Sequence, residues 1–143
     1  MNSVPWILLV EDTEEDELLF IDVLKRSGLK NPIIVLPDGE EAIAYLKGEI
    51  RYADRNRFPL PGILLLDLAM PKVDGWQVLY WARSRPEFED VLIVVLTNSL
   101  RVEDLQRAYR MGANSFLGKP CTVDDLLNLE KGFPKYWLRP ALA

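Results

Sequence analysis

The stretch that most limits what this chain can become is Ile63 to Asp67, which reads ILLLD: four consecutive aliphatic side chains closed by a carboxylate. A half-exposed strand alternates apolar and polar residues, so an unbroken apolar run fits a strand covered on both faces, as in a parallel sheet flanked by helices. Leu92 to Leu96 (LIVVL) repeats the pattern, and shorter runs at Trp6–Val10, Ile33–Leu36 and Ser115–Leu117 complete a set of five predicted strands. Between them lie helical patterns over Glu14–Ser27, Gly39–Lys47, Gly75–Arg85 and Arg101–Met111, and from Thr122 onward, with Phe20, Val23 and Leu24 at helical spacing. Gly28, Gly48, Gly112 and Pro120 punctuate the ends. Five strand–helix alternations predict an α/β fold with a doubly wound parallel sheet, because parallel neighbours need crossover helices and those crossovers are right-handed.

A chain of 143 residues, 49% of them hydrophobic, suffices for one buried core. Twenty-two acidic against 17 basic residues leave a net charge of −5, which argues against direct binding to nucleic acid. The chain has no histidine, so catalytic triads and His-containing zinc sites are excluded and carboxylates must carry the chemistry. A lone Cys121, with no apolar stretch long enough for a signal peptide or membrane span, leads us to expect a cytoplasmic protein without membrane attachment. Gly48 to Gly62 is long for an internal connection and carries Arg51, Arg55 and Arg57 beside Tyr52 and Phe58. It reads as a solvated loop, with contact to an acidic partner as the alternative.

Ligands of open α/β sheets bind where strands end at their C-terminal edge. There the sequence places Glu11 and Asp12 after the first strand, Asp67 at the end of the third, Thr97 and Asn98 after the fourth, and Lys119 and Pro120 after the fifth. Each residue alone fits a helix cap or an ordinary strand end. Together they pose a problem of charge, since two carboxylates about 4 Å apart repel by roughly 4 kcal/mol at an effective dielectric near 20. An all-oxygen site of carboxylates suits Mg²⁺, which binds together with phosphate. Lys119 adds a point charge for a phosphoryl oxygen, and Thr97 adds a hydroxyl donor. Neither GxxxxGK[ST] nor a GxGxxG following a strand occurs, which disfavours nucleotide binding.

The motifs ILLVED, LLLDLAMPKVDG, VVLTNS and FLGKP, in this order at four strand ends, resemble the receiver domain of two-component response regulators over residues 5 to 138. The resemblance implies a flavodoxin-like sheet of strand order 2-1-3-4-5, with no effector domain. It also implies a phosphoacceptor at Asp67 and a Mg²⁺ site formed by Glu11, Asp12, Asp67 and the backbone carbonyl of Ala69. Lys119 would pair with the phosphoryl group, Thr97 would move to hydrogen-bond it, and Phe116 would be the switch aromatic. Phe116 lacks the hydroxyl of the tyrosine frequent at that position, and Asn98 is bulkier than the usual small residue. Both departures bear on switching.

The implied function is a stand-alone regulator that accepts a phosphoryl group from a sensor histidine kinase or phosphotransfer protein and signals to a downstream protein target, without turning over a separate substrate. The alternative is a pseudo-receiver that binds proteins without being phosphorylated. The long YLKGEIRYADRNRFPLPG connection and the KYWL segment are similar to regulators that partner bacterial and cyanobacterial phytochrome kinases. Phe133, Tyr136, Trp137 and Leu138 recur near helical spacing and suggest a homodimer contact or kinase dock, with folding back onto the chain's own core as the other reading. Trp76 and Trp81 are expected to pack on or beside the third helix. Thr122 with Asp125 is expected to cap the fifth, and Cys121 to be a small loop thiol.

Overall fold

A computed structural model describes residues 4–70, 72–99 and 101–140. Five strands, β1 (Ile7–Val10), β2 (Ile33–Leu36), β3 (Ile63–Asp67), β4 (Leu92–Thr97) and β5 (Ser115–Gly118), form one parallel sheet in the order β2-β1-β3-β4-β5. They alternate with α1 (Glu14–Arg26), α2 (Gly39–Lys47), α3 (Gly75–Arg83), α4 (Val102–Arg110) and α5 (Val123–Gly132). This is the doubly wound arrangement and strand order expected from the sequence.

The alternation of side chains along each strand divides the core in two. Leu8, Val10, Leu64, Leu66, Ile93 and Val95 face the layer formed by α2, α3 and α4, where they meet Ala42, Tyr45, Val78, Leu79 and Ala108. Ile7, Leu9, Ile63, Leu65, Leu92, Val94 and Leu96 face α1 and α5, meeting Phe20, Val23, Leu24, Leu126 and Leu129. Both faces of β1, β3 and β4 are therefore buried, which accounts for their unbroken apolar runs.

Helix starts follow local chemistry. Thr13, Asp38, Asp74 and Thr122 cap α1, α2, α3 and α5 through their side chains, and the Thr122–Asp125 pair forms a reciprocal capping box as expected. Helix α3 stops at Arg83, two residues earlier than the pattern predicts, because Ser84 turns its hydroxyl onto the Trp81 carbonyl and Pro86 opens a separate helical turn.

Two segments carry more structure than the sequence predicts. The Gly48 to Gly62 segment is a solvated loop over much of its surface, with Ile50, Arg51, Asp54, Asn56 and Arg57 exposed, but it has an internal frame. A 3₁₀ turn over Ile50–Tyr52 buries Tyr52 against Tyr45 and Phe58, with ring centroids 5.0 to 6.1 Å apart, and the Arg55 guanidinium donates to the carbonyls of Tyr45, Leu46 and Phe58 at 3.0 to 3.1 Å. The segment is ordered by its own aromatics and arginine. At the C-terminal end, Trp137 is buried in the α1/α5 core, the Tyr136 hydroxyl donates to the Asp90 carbonyl at 2.8 Å, and Asn31 Oδ1 accepts from the Leu138 amide at 2.7 Å. Trp137 thus closes the chain's own core with Phe133 and Tyr136 partly buried against it, which is the self-packing arrangement for these aromatics. Trp76 and Trp81, half-buried, pack against the α2–α4 core as anticipated.

Candidate functional site

Strand register builds the site. Val10 lies beside Leu66, Asp67 beside Leu96, and Thr97 beside Gly118, so the residues just past β1, the last residue of β3, and those closing β4 and β5 meet at one edge. That edge gathers Glu11, Asp12, Asp67 and Lys119 from three strand ends.

Glu11 and Asp67 are buried and Asp12 is exposed, yet carboxylate oxygens of all three lie within 4.8 Å of one another. The Lys119 ammonium stands 3.0 Å from Asp67 Oδ2 and 3.0 Å from Glu11 Oε1, and it also reaches Asp16 Oδ2 at 2.9 Å. Asp67 Oδ1 accepts from the Ala69 backbone amide at 3.0 Å, which fixes the carboxylate's orientation. The turn after β3 brings its backbone against α3: a Cβ on Gly75 would lie 2.2 Å from the Asp67 carbonyl oxygen, so the glycine of the KVDG motif is required by close approach.

The charges do not balance. One ammonium faces three carboxylates, with a fourth at Asp12. Burial, reinforced by Asp67 and opposed by Lys119, pushes the Glu11 carboxyl up to about 7. Burial alone would lower the lysine, but its hydrogen bonds to Asp16, Asp67 and Glu11 hold it above its ordinary value, so it stays charged. A buried carboxylate driven toward protonation beside a second one marks a site whose electrostatics favour another cation. Three converging carboxylate oxygens at a partly open edge are a fitting donor set for a hard divalent ion such as Mg²⁺.

The other anticipated residues occupy the rim. Thr97 is buried, but its hydroxyl accepts from the Ser99 amide at 2.9 Å and donates to the Ser99 carbonyl at 3.2 Å, so it is engaged away from Asp67. Ser99 in turn donates to Asp104 Oδ2 in α4 at 2.8 Å, linking the end of β4 to the start of that helix. Asn98 is exposed. Phe116 is half-buried, its ring edge-on to Tyr109 with centroids 6.3 Å apart. Asp16 is the member that the sequence reading missed; it stands in a run of four acids opening α1, where helix polarity alone explains acidic residues. The half-buried Cys121 thiol is pushed up to about 11, chiefly by burial, and is inert at neutral pH.

A family model described as the response regulator receiver domain matches residues 7–130. The response regulator Rcp1 of Synechocystis sp. is 36% identical over 137 residues, covering 96% of this chain and 91% of that protein. Among solved structures, the phosphorylated cyanobacterial phytochrome response regulator RcpA superposes with a TM-score of 0.77 at 33% identity, covering 98% of both chains. The Mn²⁺-bound form of Rcp1 superposes with a TM-score of 0.75 at 35% identity, covering 96% of this chain and 97% of that one.

Proposed function

The chain belongs to the response regulator receiver family of two-component systems, and on that premise we propose that it accepts a phosphoryl group on Asp67 in a Mg²⁺-dependent reaction and passes the change to a partner protein. The observation that carries this reading is the Lys119 ammonium 3.0 Å from a buried Asp67 at an edge where three carboxylates converge.

Glu11, Asp12 and Asp67, with the Ala69 carbonyl, would hold Mg²⁺. Once bound, the ion offsets the negative charge of the incoming phosphoryl oxygens. An Asp67 oxygen attacks the phosphorus of a phosphohistidine on a sensor kinase or phosphotransfer protein. The P–O bond to Asp67 forms as the P–N bond breaks, and the donor imidazole leaves as the neutral ring after taking up a proton. The Ala69 amide holds one Asp67 oxygen in place, leaving the other to react. Lys119 transfers its ion pairing from Glu11 and Asp67 to a phosphoryl oxygen, which stabilises charge in a partly buried setting.

The acyl phosphate adds roughly −1.5 to −2 charge, by analogy with other phosphorylated side chains. Thr97 exchanges its Ser99 backbone partners for a phosphoryl oxygen, which frees the backbone of a residue whose hydroxyl is tied to Asp104 of α4, and Phe116 packs into the space behind. The chain thereby assists its own phosphorylation and dephosphorylation and turns over no separate substrate. The likeness to RcpA, a cyanobacterial phytochrome response regulator, supports a phytochrome-type histidine kinase as the donor. A protein is the favoured downstream target, given the net charge of −5. Among the described residues no helix is long and apolar enough to cross a membrane.

The test is incubation with a small phosphodonor such as acetyl phosphate, with and without Mg²⁺, followed by intact-mass measurement. Addition of one phosphoryl group only when Mg²⁺ is present supports the proposal. A chain that stays unlabelled with saturating donor and metal would instead be a phosphorylation-independent binding module.

A further inference from the structure

We infer that Asp16 is a positioning residue for Lys119, holding the ammonium at the rim of the carboxylate group when a divalent cation enters it; this rests on the reading of that group as a cation site. Lys119 touches three acids of different standing. Glu11 and Asp67 side chains are each 2% exposed, whereas that of Asp16 is 35% exposed and lies in the first solvent-facing turn of α1. Glu11 and Asp67 belong to the set of three carboxylates whose oxygens converge within 4.8 Å; Asp16 lies outside that set.

A divalent ion among those three carboxylates competes with the ammonium for the same Glu11 and Asp67 oxygens, and the two like charges repel. Asp16 is the one acid that Lys119 keeps through this exchange. Among the described residues, Glu14, Glu15 and Glu17 of the same helical turn form no ion pair with the lysine, so the role is specific to position 16 and is not a general effect of an acidic turn. The hydrogen bond from Lys119 holds the Asp16 carboxyl below its ordinary range, consistent with a persistent contact. Without Asp16, the ammonium has only the metal's own ligands as acidic partners and rests on them. Asp16 thus keeps the lysine within reach of a phosphoryl oxygen without letting it block the cation.

The experiment is a calorimetric Mg²⁺ titration of the wild type, Asp16→Asn, Lys119→Ala, the double variant and Asp16→Glu, with thermal melts as a folding check. A partly buried pair open to solvent on the Asp16 side is worth about a two- to fivefold change, so Asp16→Asn should weaken Mg²⁺ binding by that factor. In the Lys119→Ala background the same substitution should have much less effect, because the ammonium through which Asp16 acts is gone. Asp16→Glu, which keeps the carboxylate, should retain most of the affinity. An equal loss in both backgrounds would show that Asp16 acts only as a distant charge and would overturn the inference, as would an Asp16→Asn protein that binds Mg²⁺ as well as the wild type. A wild type that binds no Mg²⁺ would overturn the functional reading beneath it, an outcome distinguishable from a failed cycle.

Discussion

Arg83 and Lys119 are both half-buried cations, one at the end of α3 and one at the end of β5, but they are solvated by opposite means. The Arg83 guanidinium donates to the carbonyls of Gly112, Phe88 and Val91 at 2.7, 2.8 and 2.9 Å and to Asn114 Oδ1 at 2.7 Å, all neutral acceptors from the α3–β4 and α4–β5 connections. Burial pulls its pKa down, and among the described residues no acid forms an ion pair with it. Lys119 is ringed by three carboxylates that push its pKa up and leave the surroundings negative. A cation matched to neutral acceptors has nothing to exchange and acts as a fixed staple. A cation outnumbered by acids sits where a second cation gains by entering and where partners can be traded. The same physical ingredient, a buried positive charge, thus serves structure in one region and chemistry in the other.

Replacing Arg83 with alanine should produce the largest effect on stability, about 2–4 kcal/mol, because several partly buried acceptors lose their donor at once. Denaturant unfolding measures it, and Mg²⁺ affinity should not change. A variant as stable as the wild type would show that these bonds are replaced by water without loss.

The reactivity of Cys121 sharpens the contrast. It lies two residues beyond Lys119, and a free ammonium there would lower the thiol's pKa. Instead the thiol moves from 9.0 to about 11, with burial and Asp125 responsible. Alkylation at pH 8 should therefore be about a hundredfold slower than in the unfolded chain, the thiolate fraction falling tenfold per pKa unit. Folded and unfolded chains reacting at equal rates would mean that the thiol is neither buried nor shifted.

Lys119→Ala should raise Mg²⁺ affinity about tenfold, since removing a repulsion of roughly 1–2 kcal/mol favours the ion by that factor. Calorimetry reads it, and an affinity that falls would make the lysine a helper of metal binding. At the weak end, Arg51→Ala removes a fully exposed partner of Glu41 and should leave the melting midpoint unchanged, as expected for solvent-exposed ion pairs. A clear drop in melting temperature would place the Gly48 to Gly62 segment under electrostatic as well as aromatic control.

What could be read from the sequence follows from how strongly each feature is marked along the chain. Strands buried on both faces must be continuously apolar, so β3 and β4 announce themselves, and the acids and lysine that end such strands stand out because several converge at one sheet edge. Glu11, Asp67 and Lys119 were accessible for this reason. Asp16 was not, because Glu14, Glu15, Asp16 and Glu17 look alike until helix geometry turns one of them toward the lysine. The partners of Arg55 and Arg83 carry no sequence signal, since all but Asn114 Oδ1 are backbone carbonyls that any residue supplies. For the Gly48 to Gly62 connection the signal lies in Tyr52 and Phe58, which pack on Tyr45 of α2 and frame a segment otherwise largely exposed. At the C-terminal end the same aromatic density was read as an outward surface. The pattern of Phe133, Tyr136 and Trp137 gives spacing but not direction, and direction came from the contacts with Asn31 and Asp90.

The most direct test of the central claim compares the wild type with Asp67→Asn, each incubated with acetyl phosphate and Mg²⁺ and weighed intact by mass spectrometry. The account predicts one phosphoryl group on the wild type and none on the variant, with both chains folded. Equal labelling of Asp67→Asn would place the chemistry on another residue and contradict the account.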